Sequence, residues 1–324
     1  MYLKLIPDNT NIPFTKVRFA ALAFSLLLMA ASVGALFTLG LNFGVDFKGG
    51  VTLEVADDEP IALQDVRDAL GGLGLGSYEV SEIQDFADAE PAVLIRIAQQ
   101  DAEEGAEEQD ANELAQQEAL QAAKTAMIEL LGDGVDFRKE DVVGPTVSGE
   151  LIQKGATAVV LAIGMMLIYI WLRFEWQFSL GAIAALVHDV VITMGMFAVT
   201  RLEFNLAIIA AILTIVGYSM NDTVVVYDRV RENLRKFKSK PLPELLDISI
   251  NDTLSRTVMT SGTTLLALAA LAIFGGEVLR GFTLAMIWGI VIGTYSSIFV
   301  ASPFLMITGV KRDWSKQPAA AATP

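Results

Sequence analysis

The chain has 324 residues, 53% hydrophobic and only 19% charged, with a mean hydropathy of +0.50 and a formal net charge of −15. That balance is too apolar for a soluble protein of this length and marks a membrane protein, while the negative total argues against nucleic acid as a partner. Cysteine is absent, His188 is the single histidine and no Gly-Lys dipeptide occurs, which excludes disulfides, thiolate chemistry, an H-E-x-x-H zinc site and a P-loop nucleotide motor.

Taken in chain order, residues 1–16 form a polar N-terminus and 17–41 the first of six apolar stretches. The others are 155–172, 178–200, 204–227, 258–274 and 281–308; a helix needs roughly 20 such residues to cross a bilayer. Lys16 and Arg18 before the first stretch, and Ala30, Ala31 and Ser32 within it, give it the outline of a signal peptide. Its apolar part exceeds the roughly 7 to 15 residues of a signal core, so it is expected to remain as a span.

Lysine and arginine set the orientation. Lys4, Lys16 and Arg18 precede span one; Arg229, Arg231, Arg235, Lys236, Lys238 and Lys240 follow span four; Lys311, Arg312 and Lys316 follow span six. These ends, with the tail 311–324, are expected to be cytoplasmic. The segment 42–150 holds 26 acidic and 6 basic residues, and is expected on the opposite side.

Within that segment, 51–56 alternates as a strand and 61–70 has helical spacing through Ile61, Val66, Ala69 and Leu70. Residues 78–86 and 92–98 read as strands, 107–131 as a long helix and 135–142 as a last strand. The order βαββαβ predicts a ferredoxin-like α+β domain, with the membrane domain running from 151 to 310. The acidic, low-complexity 100–117 portion reads as a solvated helix extension or an unstructured insertion.

Polar residues inside the spans are the candidates for function. Asp222, in GYSMNDTVVVYDR (217–229), lies six positions before Asp228, roughly 9 Å inside the cytoplasmic end at about 1.5 Å per residue. An ionised Asp at a span centre costs about 2.5–3.5 kcal/mol, somewhat less near the interface. Tyr218, Ser219 and Asp222 share one helical face. Asn221 and Asp222 either hold helices together through hydrogen bonds or form a titrating site. Arg256 opens span five, with Thr260, Thr263 and Thr264 continuing its face. A fixed cation beside a carboxylate favours its ionised form, and withdrawing the cation favours protonation. Arg256 either plays that part for Asp222 or reaches the cytoplasmic headgroups.

His188 and Asp189 fall near the middle of span three. Being adjacent, they are expected to point about 100° apart, leaving Asp189 to share a face with Thr193. An interhelical hydrogen-bonding role and a relay role stand side by side, since histidine titrates near neutrality. Gly49 and Gly50 are expected to turn the chain from span one into the first strand, and Asp46 and Lys48 to form an exposed pair of little energetic weight. Gly289 and Gly293 form a G-x-x-x-G that permits close approach of a neighbouring span or of a partner. The basic run 229–240 is expected to fix topology and touch anionic lipid.

GVDFKGG (44–50), VGPTVSGEL (143–151), HDV (188–190), GYSMNDTVVVYDRVREN (217–233) and NDTLSRT (251–257) together resemble the SecF branch of the SecD/SecF export family. The resemblance runs from about residue 15 to about residue 310; the acidic insertion and the Ala-rich tail after Trp314 depart from it without touching a motif. It implies a transport subunit rather than an enzyme, with no cofactor, in the bacterial inner membrane. Its partners would be SecD, the SecYEG channel, the small membrane subunit YajC, membrane lipids and a translocating polypeptide. It further implies that proton flow is coupled to export, with Asp222 and Arg256 at the family's functional positions. The resemblance also implies kinship with the resistance-nodulation-division exporters, and the competing reading is a proton-coupled exporter of a small molecule or lipid from that superfamily.

Overall fold

The computed structural model describes residues 10–57, 59–83, 92–100, 108–132 and 134–310. A short 3-10 turn, Phe14–Val17, leads into α1 (Arg18–Thr38). Then follow β1 (Asn42–Phe43), a one-turn helix α2 (Val45–Lys48), β2 (Gly50–Ala56), α3 (Leu63–Gly71), β3 (Tyr78–Ile83), β4 (Ala92–Ile97), α4 (Glu108–Leu131) and β5 (Asp136–Val143). The remainder is α5 (Pro145–Arg173), α6 (Trp176–Thr200), β6 (Glu203–Phe204), α7 (Leu206–Lys236), α8 (Leu242–Phe274), α9 (Gly276–Ser296), a π-helical segment (Ser297–Ala301) and α10 (Ser302–Thr308). Residues 84–86 of the predicted strand 78–86, residues 101–107 of the acidic stretch, Lys4 and the tail from Lys311 onward lie outside the described residues.

Strands β3, β4, β2 and β5 form one sheet in that order, every pair antiparallel. Alternation along β2 sends Val51, Leu53 and Val55 to one face, where they meet Ile95, Ile97 and Val80 from the neighbouring strands. Helix α3 contributes Val66 and Leu70 to this core, and α4 contributes Ala119, Leu120, Ala123 and Met127. The other face carries Glu54, Glu79, Ser81, Leu94, Arg96 and Lys139, the opposite set of a period-two pattern. A polar cavity of about 800 Å3 separates that face from the helices below, where Arg201, Glu203, Asn205 and Arg280 line it.

Six helices among the described residues are long and apolar enough to cross a membrane. In the most apolar windows of α6, α7 and the helix ending at Thr308, 56%, 44% and 61% of residues are buried, against 17%, 6% and 17% for α1, α5 and α8. Helices α6, α7 and α9 therefore make the centre of the bundle, and the other three present apolar side chains such as Phe37, Leu172 and Phe274 outward.

Several helices differ from their predicted spans. Helix α8 begins at Leu242, well before the apolar stretch at 258, where its first turns are held by the segment that precedes α1. Asp247 accepts hydrogen bonds from Thr15 N and Thr15 Oγ1, both 2.8 Å, and Asn251 exchanges bonds with the backbone of Ile12. The sixth span is broken by the π segment. Pro303 has no N–H to offer the preceding turn, and Ser302 Oγ instead donates to Ser297 O, five residues back, at 3.0 Å. Single-turn π insertions of this kind recur at functional sites.

The G-x-x-x-G of α9 has its partner within the chain. A Cβ on Gly289 would strike the Ile215 side chain of α7, and one on Gly293 would sit 2.9 Å from Ser219 Cβ. The basic run also finds intramolecular partners: Arg229 Nε donates to Asp252 Oδ2 at 2.9 Å, and Arg229 Nη1 to Glu232 Oε2 at 2.7 Å.

Candidate functional site

Two buried carboxylates lie at the centre of the bundle. Asp222 on α7 is 8% exposed. Its Oδ1 accepts from Thr257 Oγ1 of α8 at 2.5 Å and its Oδ2 from Ser297 Oγ of the π segment at 2.6 Å. Asp189 on α6 is fully buried; its Oδ2 accepts from Ser219 Oγ of α7 at 2.5 Å and from Ser296 Oγ of α9 at 2.8 Å. Ser219 and Asp222 do share a face of α7, but they serve different carboxylates.

The serines at the π junction link the two. Ser296 and Ser297 are consecutive, yet one bonds Asp189 and the other Asp222. Each also has a carbonyl of its own helix within reach, Gly293 O at 3.1 Å and Thr294 O at 3.0 Å. A hydroxyl can donate to a carboxylate or accept from a carboxylic acid. With an alternative acceptor at hand, each serine keeps its hydrogen bond when the carboxylate beside it gains a proton.

His188 is 1% exposed, and its Nδ1 lies 2.9 Å from Asp189 Oδ1. The expectation that these neighbours diverge is corrected: both side chains bend into one pocket, and the imidazole stacks on Tyr295, centroid distance 6.1 Å. His188 Nε2 has no hydrogen-bond partner among the described residues. Thr193, expected beside Asp189, is buried, and its hydroxyl has no hydrogen-bond partner among the described residues. Tyr295 in turn donates to Ala21 O of α1 at 2.8 Å and lies 3.1 Å from Ser25 Oγ.

Of the two readings of Arg256, the one that sets it beside Asp222 is not met. Arg256 sits inside the long helix α8, its side chain exposed, and it forms no ion pair among the described residues. Thr257, one residue and about 100° further round the helix, takes the place beside Asp222. Thr260 is also exposed and returns its hydroxyl to Arg256 O at 3.0 Å. Asn221 is exposed too, so Asn221, Arg256 and Thr260 mark an open polar face next to the buried carboxylate.

The GVDFKGG stretch builds a second constellation at the other end of α7. Gly49 and Gly50 have φ of +72° and +115°, and a Cβ on Gly50 would collide with Ile97 O; only glycine fits there. Asp46 does not pair with Lys48. Its Oδ2 accepts from Leu206 N, the first residue of α7, at 2.8 Å. Strand β1 pairs in parallel with β6, a contact that the sequence pattern does not signal. Arg201, the single non-glycine with positive φ among the described residues, donates to Leu39 O and Gly40 O at the end of α1, 2.7 and 3.0 Å. It was missed because nothing local distinguishes an arginine that caps a distant helix. Above the joint, Arg96 of β4 reaches Glu203 of β6 at 2.8 Å.

Comparisons with known proteins agree with these motifs. The family described as "Protein export membrane protein SecD/SecF, C-terminal" matches residues 123–311, and "SecD/SecF GG Motif" matches 34–56. "Protein translocase subunit SecF" of Cereibacter sphaeroides is 44% identical over 99% of this chain and 97% of its own length. The SecF of Rhodobacter capsulatus is 45% identical, covering 97% and 94%. In "Protein translocase subunit SecDF" of Brucella abortus, 44% identity extends over 95% of this chain but 39% of the longer protein. The crystal structure of SecDF, a translocon-associated membrane protein from Thermus thermophilus, superposes with a TM-score of 0.79 at 34% identity, over 95% of this chain and 39% of that one. The chain belongs to the SecD/SecF family of protein export membrane proteins, with the length of its SecF members.

Proposed function

We propose that this chain acts as the SecF-type accessory subunit of the bacterial Sec protein translocase, joining a SecD half to draw on the proton gradient during export. The observation that carries the reading is Asp222, buried in the bundle and met by the hydroxyls of Thr257 and Ser297 rather than by a cation. A carboxylate so surrounded accommodates a proton without leaving a donor stranded. Asp222 is the proton carrier in this reading. Asp189 and His188 form the second polar centre, linked to the first through Ser296 and Ser297. Arg256, with Asn221 and Thr260, belongs to the open face through which water or a partner helix comes beside Asp222. One charge crossing 100 mV carries about 2.3 kcal/mol, so a few protons suffice to drive motion between states several kcal/mol apart.

The strand order β3-β4-β2-β5 with two helices on one face supports assigning the external domain to the ferredoxin-like class. Its acid-rich composition supports a periplasmic location and cytoplasmic termini in the inner membrane. SecD is the partner best supported, because this chain matches 39% of the length of the relatives named SecDF. SecYEG, YajC, membrane lipids and the exported polypeptide follow from the family role, which is one of transport, not catalysis. Export of a small molecule or lipid is the less favoured reading, since relatives matched over nearly their whole length are named translocase subunits.

The test is Asp222→Asn in membranes containing SecD and the channel. Gradient-stimulated export is expected to fall to its level without a gradient, while insertion and association with SecD persist. Export at the parent rate would refute the carrier assignment.

A further inference from the structure

The GG-motif segment has no role in the relay just described, yet it grips the helix that carries Asp222. Helix α7 runs without interruption from Leu206 to Lys236, so Asp222 lies sixteen residues, about 24 Å, from the end held by Asp46. At that end Asp46 Oδ2 takes the N–H of Leu206 at 2.8 Å, and Asn205 Oδ1 takes that of Ile208 at 3.2 Å. A carboxylate facing the positive end of a helix makes a charge-assisted bond to it.

The same turn is tied to its surroundings on three further sides. Asp46 O accepts from Ser148 Oγ of α5 at 3.0 Å, and Gly44 N donates to Phe204 O at 2.9 Å. Phe43, Phe47 and Phe204 pack ring against ring at 5.7 to 6.0 Å. Two residues beyond α2, Gly50 opens β2, one of the two inner strands of the four-stranded sheet. The path from the sheet to α7 is thus short and bonded throughout, whereas the rest of the sheet's lower face stands off across the polar cavity and is tied through Arg96 and Glu203.

We propose that Asp46 is a positioning residue that couples α7 to the external domain, so that a shift of α7 accompanying proton gain or loss at Asp222 is delivered to the sheet. This rests on the reading of Asp222 given above. A cap that only stabilised the fold would affect every activity of the protein alike. A coupling residue has a distinct signature: without it protons still pass, but their passage no longer drives export.

The experiment uses the full chain with SecD and the channel in proteoliposomes under an imposed pH gradient. Proton influx and gradient-stimulated export are measured together and normalised to inserted protein. Asp46→Ala is expected to leave influx unchanged and to lower gradient-stimulated export about tenfold, the scale of a lost charge-assisted helix cap. Asp46→Asn, which keeps an acceptor oxygen but not the charge, is expected to lose about two- to threefold with influx again unchanged. Influx and export falling together in Asp46→Asn, or export unchanged in both variants, would overturn the coupling role. Should Asp46→Ala insert poorly, Asp46→Asn decides alone. Asp222→Asn runs in parallel: if it conducts and exports like the parent, the carrier reading fails, whereas an uncoupled ratio confined to the Asp46 variants tests the coupling itself.

Discussion

Asp222 and Glu203 are both acidic and both largely withdrawn from solvent, but among the described residues the first is met by hydroxyls and the second by a guanidinium. Asp222 accepts from Thr257 and Ser297, as Asp189 accepts from Ser219 and Ser296. Glu203 pairs with Arg96, and Lys139 stands in the field of Glu203, Asp141 and Glu54 on the same side of the external sheet. Hydroxyls reverse their polarity and suit either protonation state, whereas arginine is donor-only and suits only the charged acid. The bundle therefore offers Asp222 partners that accommodate either protonation state, and the joint with the sheet offers Glu203 a partner that suits only the charged acid.

The sharpest way to break this comparison is Asp189→Ala. It strands the Ser219 hydroxyl and one nitrogen of His188 in a buried place, while Ser296 retains Gly293 O, and is expected to destabilise the protein by about 2 kcal/mol or more, at roughly 1–3 kcal/mol per unsatisfied group. Thermal unfolding in detergent measures it; a variant as stable as the parent would mean that these groups have other partners. Ser297→Ala removes one interhelical bond to Asp222 and is expected to cost about 1 kcal/mol, the scale of such bonds within membranes. If the hydroxyl serves both protonation states of Asp222, gradient-stimulated export falls further than this modest loss explains, and comparing melting with export separates the two.

At the joint, the double-mutant cycle of Arg96→Ala and Glu203→Ala is expected to give a coupling of about 1 kcal/mol or less that shrinks as salt is raised. The Ser297→Ala effect should not respond to salt, and a salt-sensitive Ser297 would erase the distinction between the two regions. The smallest effect concerns Lys139. Burial pulls its ammonium down, but Glu203, Asp141 and Glu54 outweigh that and hold it above the ordinary 10.5. A raised lysine contributes stability that is complete below 10.5 and is lost as pH rises through its folded value. The difference in melting temperature between parent and Lys139→Met is thus expected to stay constant between about pH 7 and 10 and to narrow above about 10.5; narrowing already near neutrality would contradict it.

Much of the architecture is legible because its causes are local. A lipid-crossing helix must be apolar along its whole length, so the six runs declare themselves, and the period-two and helical spacings of the external segment follow from the geometry of single strands and helices. Asp222 stands out for the same reason, as a charge where the solvent disfavours one. What could not be read depends on how helices are rotated against one another. Thr257 rather than Arg256 faces Asp222 because α8 presents one side and not the next. His188 and Asp189 meet because Ser219, Ser296 and Tyr295 close a pocket over both.

The sequence by itself determined that the chain is a six-span membrane protein with an acidic α+β domain after its first span, and that an aspartate is buried in its fourth. Only the tertiary structure decided what that aspartate touches. Its partners lie 35 and 75 residues away, Asp46 meets the start of α7 across 160 residues, and two consecutive serines, Ser296 and Ser297, reach two different carboxylates. Contacts at such separations are set by the packing of whole helices, a property of the assembled bundle that no single stretch of chain contains.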